Sequence, residues 1–150
     1  MAITAGLKIA VYTRDPNCWQ GGITAAGPPY QSQLQFFALD AETGEPQIRR
    51  AMVDGVKGMG LRPVIYSGSG IWPQLMNNST AFSDIPLWDT NAGNINYKKW
   101  TTNYLAPTPV QYGGWNTPTT MRVGVQQKFN QSLNGVVVDL DSFDATFLLP

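Results

Sequence analysis

Asp40 and Glu42 stand one residue apart at the end of an apolar run, in the stretch FFALDAETGEP at 36–46. Side chains of an extended chain alternate between faces, so the two carboxyls point the same way and Ala41 points opposite. Their Cα atoms then lie roughly 6 to 7 Å apart. Acids that close shift each other's ionisation, and a carboxyl kept protonated near neutrality is what general acid catalysis needs. A plainer reading makes them only the N-terminal acids of the helix that follows, favourably placed by its dipole. The chain has no histidine and a single cysteine, Cys18. This excludes Ser-His and Cys-His catalysis, the usual metal sites and an internal disulfide. Acid and base chemistry therefore falls to carboxylates, and no cofactor or metal is expected.

Several elements must position these groups. Runs rich in Val, Ile, Leu and Phe predict strands at 7–12 (LKIAVY), 34–39 (LQFFAL), 61–68, 85–90, 122–129 and 135–141. Between the second and third, GEPQIRRAMVDGVKGMG predicts a helix with Pro46 in its first turn. Ile48, Met52, Val56 and Met59 share one face, and Gly60 forms the C-terminal cap. Segment 34–66 thus reads as a strand, helix, strand unit of the length a right-handed parallel crossover requires. NQSLN, at 130–134, is too short for a crossover, so the last two strands are expected to be antiparallel. Segments 13–33 and 106–120 read as ordered loops. The fold class expected is α/β on a mostly parallel sheet of about six strands in one domain.

Reactive groups in such folds collect at the carboxyl ends of the strands. Tyr12, Asp40, Glu42, Tyr66, Trp88, Asp89, Gln126, Gln127, Asp139 and Asp141 fall at or near such ends. Rings stack on sugar faces while carboxylates and amides bond hydroxyls, so this composition suits a neutral polyhydroxylated ligand. Ten basic and ten acidic residues give a formal net charge of zero, so no overall field favours nucleic acid or a membrane surface. No stretch reaches the roughly 20 apolar residues of a membrane span, and the start lacks the features of a signal peptide.

FFALDAETG, GLRPVIYSG, IPLWDT and RVGVQQKFNQSLNGVVVDLDSFD resemble, in order and spacing, the latter part of glycoside hydrolase family 25, the N-acetylmuramidases. The resemblance implies cleavage of the β-1,4 bond between N-acetylmuramic acid and N-acetylglucosamine in peptidoglycan, outside the cell or at the cell wall. It implies an incomplete (β/α) TIM-barrel-like domain whose last strands lose their helices. By motif it makes Glu42 the general acid, Asp40 its assisting carboxylate and Asp139 the acidic residue of the last strand. Tyr66, Trp88 and Gln126 match positions lining the sugar groove, with Tyr12 beside them at the end of its strand. Asp40 is expected to be ionised, holding the proton on Glu42, while Asp141 and Asp144 are left as surface charges.

The family's first two strands, the first ending in a catalytic aspartate, have no counterpart in this sequence. The expectation is an N-terminally truncated domain with open edges at 7–12 and at the last strand, prone to self-association. Asp15 in DPNCWQGG has the spacing of the family's D-x-S-x-W-Q-G opening and stands as a substitute for the missing acid. Two other readings stay open: a glycan-binding module with a weak or inactive site, and a fragment or structural subunit without activity of its own.

Overall fold

The computed structural model describes residues 3–90, 110–115 and 122–150; parts of the predicted 106–120 loop lie outside them. The elements are β1 (Ile9–Thr13), α1 (Trp19–Ala25), α2 (Pro28–Gln31), β2 (Leu34–Asp40), α3 (Arg50–Gly58), β3 (Pro63–Ser67), α4 (Trp72–Met76), β4 (Leu87–Asp89), β5 (Arg122–Leu133) and β6 (Val136–Phe143). The six strands form one sheet in chain order, curled into a half-barrel. Strands β1 to β5 are parallel and β6 returns antiparallel to β5, as the short connection requires.

Strand β2 is buried along its whole length. Its alternation feeds two cores. Phe37 and Leu39, with Ala41 beyond them, join Ile48, Met52, Val53, Val56 and Ile65 on the helical face. Phe36 and Ala38 join Val64 and Val123 on the concave face, with Phe143, Phe147 and Leu148 against them. The next inward position after Ala38 is Asp40. The concave face is therefore apolar at one end and polar at the carboxyl ends of the parallel strands.

Three expectations are corrected. Segment 13–33 is not a loop but carries α1 and α2. Gly21 and Gly22 lower the helical propensity of WQGGITA, yet a Cβ at Gly22 would lie 3.1 Å from the Phe37 ring, so close packing on β2 explains that glycine. Helix α3 starts at Arg50, four residues after Pro46. An extended approach lets Ile48 reach the core, where it is 3% exposed, while Met59 caps the helix and stands in solvent. Gly60 follows that cap at φ +77°, as the left-handed C-terminal position demands. Strand β5 runs four residues past 129, and the turn is Asn134-Gly135, with φ of 51° and 81°. Asn-Gly is a strong two-residue hairpin signal.

One irregularity sets the register of the concave face. Leu87 pairs with Arg122, but Trp88 pairs with Gly124, so a bulge skips Val123. Trp88 thereby faces a glycine that has no side chain to obstruct it, and Gln126 shares Gly124's face. On β5's other side Gly124 pairs with Phe143. A Cβ on Gly124 would sit 2.4 Å from the Phe143 ring, which itself packs 5.2 Å from Trp88 and 5.2 Å from Phe36. On the helical face, Arg122 and Asp89 form a buried ion pair at 3.2 Å, and Tyr112 Oη donates to Asp89 Oδ1 at 2.8 Å.

Gly124→Ala is expected to displace Phe143 and to destabilise the chain by about 1 to 3 kcal/mol, the usual cost of overpacking. Urea unfolding would show a lower midpoint at unchanged slope; an unchanged midpoint would mean that Phe143 moves aside freely.

Candidate functional site

The polar end of the concave face is an open pocket of about 510 Å³. Its wall includes Tyr12, Asp40, Glu42, Tyr66, Trp88, Gln126 and Asp139, the seven residues given site roles in the sequence analysis, while Asp89 and Gln127, also at strand ends, do not line it. The register explains the convergence: Asp40 pairs with Tyr66 and Tyr66 with Trp88, forming one rung across β2, β3 and β4. Gln126 on β5 pairs with Asp141 on β6.

Asp40 is 4% exposed, and its Oδ1 has no hydrogen-bond partner among the described residues. Burial, then the neighbouring Glu42 charge, together push its carboxyl up to about 8 against the opposing pull of Arg14. This reverses the expected asymmetry. The sequence reading placed the charge on Asp40 and the burial on Glu42. The proton at neutral pH instead resides on Asp40, because the strand end is enclosed and Glu42 lies beyond it. Ala41 N donates to Tyr66 O at 2.9 Å, continuing the β ladder one residue past β2. Glu42 then follows at the pocket wall, its side chain 32% exposed, 3.5 Å from Arg14 Nε. The same Arg14 Nε lies 2.8 Å from Glu45.

A hydrogen-bonded chain crosses the pocket. The Tyr66 hydroxyl donates to Gln126 Oε1, and Gln126 Nε2 donates to Asp139 Oδ2 at 2.9 Å. Asp139 Oδ1 also accepts from Asn130 N at 2.8 Å. Burial, with the surrounding acids, holds Tyr66 well above the usual phenol range, so it serves as a donor throughout the neutral range. Asp139 is thus oriented by two fixed donors although it is exposed. Trp88 meets Tyr66 edge to face at 4.9 Å, and its Nε1 donates to Asp141 Oδ1 at 2.9 Å. Tyr12, 62% exposed on edge strand β1, sits at the rim.

Two charged pocket residues, Arg14 and Asp141, have no site role in the sequence analysis. Arg14 follows the first strand and was open to the strand-end rule that selected Tyr12. Asp141 is not a surface charge: alternation from Asp139 places it on the same face, and burial pushes its carboxyl up to about 7. Asp144 remains apart, accepting from Thr146 N at 2.9 Å. Asp15 is not among the lining residues. Its carboxylate caps the short helical turn at Pro16–Cys18, with Oδ1 2.8 Å from Asn17 N, and it does not replace a catalytic acid.

Among the described residues no group of three or more acidic or cysteine side chains is arranged to hold a metal ion, and no helix is long and apolar enough to cross a membrane. The pocket combines a proton-holding carboxyl, a second carboxyl two residues on, an anchored third, the Asp141 carboxyl and three aromatic rings. Such a set can donate a proton, stabilise a developing positive charge and hold a ring with hydroxyls.

No family model matches the chain. No solved structure matches it either. The chain is similar to counting factor 50 of Dictyostelium discoideum, with 29% identity over 103 residues, covering 69% of this chain and 31% of that protein. The match thus spans about a third of that relative's length.

Asp40 links stability to pH. Its folded carboxyl titrates near 8 against an ordinary value of 3.8, so between those values the folded chain holds a proton the unfolded chain has lost. Stability therefore falls as pH rises through that window, by up to about 1.4 kcal/mol per pH unit from this group. Asp40→Asn is expected to flatten the decline between pH 4 and 8, leaving the smaller slope due to Asp141. Urea unfolding at pH 5 and pH 8 checks this, and an undiminished slope would place the titration elsewhere.

Proposed function

We propose that the chain is a glycoside hydrolase of the N-acetylmuramidase type, acting on peptidoglycan glycan strands outside the cell or at the cell wall. The half-barrel sheet is then part of an incomplete (β/α) barrel. One observation carries the reading: six residues chosen by motif, from strands far apart in the chain, line one pocket, with Tyr12 beside them. Strands β1 and β6 stand at the two edges of the sheet among the described residues, which supports self-association as a way of covering them.

Glycoside cleavage requires a proton for the leaving oxygen and a negative group near the developing oxocarbenium ion. In this reading Asp40 and Glu42 hold one proton between them across neutral pH. Before substrate binds, it rests on buried Asp40. A substrate amide N–H donating to the unpartnered Asp40 oxygen favours the Asp40 carboxylate, and the proton passes to Glu42, which is closer to solvent and reaches the glycosidic oxygen. As the C–O bond breaks, its electron pair goes to that oxygen and Glu42 delivers the proton. The substrate's own acetamide oxygen attacks the anomeric carbon, and ionised Asp40 and Asp139 stabilise the charge that develops.

A second reading, a glycan-binding module without hydrolysis, is favoured by the Arg14 contact, which holds Glu42 as an ionic partner at 3.5 Å. Digestion of purified peptidoglycan, followed by analysis of the new reducing ends, separates the two. The muramidase reading expects N-acetylmuramic acid at those ends. Glu42→Gln should lower their release by at least about 10²-fold with the fold intact, and retention of more than a tenth of the wild-type rate would remove Glu42 as the acid. Binding without any release of ends would favour the module.

The pH profile gives an independent check. Wild-type activity should decline as pH rises through about 8, where Asp40 loses its proton. Asp40→Asn leaves Glu42 to hold its proton without a neighbouring charge or reservoir, so the alkaline limb should move to lower pH. An alkaline limb that stays in place would mean that the two carboxyls are uncoupled.

A further inference from the structure

We infer that Asp141 is a positioning residue that fixes the indole plane of Trp88, so that the hold of the pocket on a sugar ring depends on the ionisation of Asp141. The inference rests on the reading of this pocket as a glycan site, and it adds a residue that the motif did not mark. Trp88 has its ring held on two sides, by Tyr66 at 4.9 Å and 73° and by Phe143 at 5.2 Å and 61°. Its polar end is held by Asp141 Oδ1, 2.9 Å from Nε1. Ring contacts of this kind leave rotation within the aromatic cluster open, whereas a hydrogen bond to the N–H selects one orientation. An ionised carboxylate makes that bond charge-assisted and about twice as strong as a neutral acceptor does.

The surroundings of Asp141 make the bond titratable in a useful range. The titratable groups facing it are Asp139 on its own strand and Tyr66 on β3; Gln126, its partner on β5, and Trp88 on β4 carry no charge. Asp40, Glu42 and Arg14 line the same pocket. Burial, then the Asp139 charge, raise the Asp141 carboxyl to about 7, while the Trp88 N–H pulls it down. Above that pH the carboxylate grips the indole; as pH falls through it the carboxyl neutralises and the grip weakens. Glycan binding should therefore weaken on acidification, opposite in sign to the loss of proton donation that limits catalysis on the alkaline side.

The test reads the Trp88 indole N–H resonance in the free protein, assigned by its disappearance in Trp88→Phe, together with binding of an N-acetylglucosamine tetramer by calorimetry. The wild-type resonance should move with a midpoint near pH 7, and that movement should vanish in Asp141→Asn, which keeps an acceptor but cannot ionise. Tetramer affinity should fall about tenfold in Asp141→Leu, as for loss of a hydrogen bond to a charged group, while Asp141→Asn should hold the tetramer as weakly at every pH as the wild type does once acidified through about pH 7. A wild-type resonance that does not titrate, or one that still titrates in Asp141→Asn, would overturn the inference even if Asp141→Leu does not fold. Failure of the wild-type protein to bind the tetramer at any pH, with the resonance titrating normally, would instead sink the sugar-site reading and leave the Asp141–Trp88 coupling standing.

Discussion

The structure depends on the alternation of one strand buried on both faces. Phe37 and Leu39, and Ala41 after them, lock β2 against the helical layer, while Phe36 and Ala38 point into the concave side. Because the period is two, that apolar anchoring leaves Asp40 no choice of direction: it must face the concave side, next in line after Ala38. A slip of one residue would bring Leu39 into the pocket and push a carboxyl among Met52, Val53 and Val56. The hydrophobic core thus specifies where the acid stands, and the parallel register carries that specification across the sheet through Tyr66 to Trp88.

The concave face has two ends with different occupants. At the amino ends of the strands Arg62 donates to Gln35 O at 2.9 Å and lies 4.3 Å from the Phe147 ring centre. Leu149 N donates to Gln35 Oε1 at 2.7 Å. These contacts fasten the C-terminal segment beneath the apolar cluster of Phe36, Val64 and Val123. Filling that end excludes water from below and encloses Asp40, whose carboxyl responds with a raised pKa. The seal at one end and the unusual acid at the other are parts of one arrangement.

Much of this was legible in the sequence because it is written in local pattern. The six strands, the β2–α3–β3 unit and the antiparallel return of β6 follow from apolar runs and connection lengths. What escaped depends on neighbours. Helix α1 holds two glycines that local propensity disfavours, and it is explained by contact with Phe37. The Asn134-Gly135 turn straddles the boundary between the expected 130–134 connection and the expected 135–141 strand, and that division hides the Asn-Gly signal. Asp141 alternates with Asp139, so its direction is available from the sequence; its enclosure depends on Trp88, which β4 brings to it from a distant part of the chain. The same holds for Asp40 and Glu42. Spacing shows that they share a face, while only the packing of adjacent strands decides which is enclosed.

That last distinction bears on why the acid is there at all. A buried carboxyl with one oxygen unpartnered among the described residues costs about 1 to 3 kcal/mol relative to a satisfied group, and an apolar residue would extend the row of Phe36 and Ala38 at no such cost. Local rules broken without a compensating contact point to a site rather than to a scaffold. The neighbouring groups are arranged in the opposite manner: Gln126 and Asp139 satisfy one another along a fixed chain, and Asp141 satisfies Trp88. One wall of the pocket is therefore internally bonded, and the other holds an Asp40 oxygen without a partner among the described residues. In the proposed reaction the substrate amide donates to that oxygen, so the binding step also supplies the charge on Asp40 that burial suppresses.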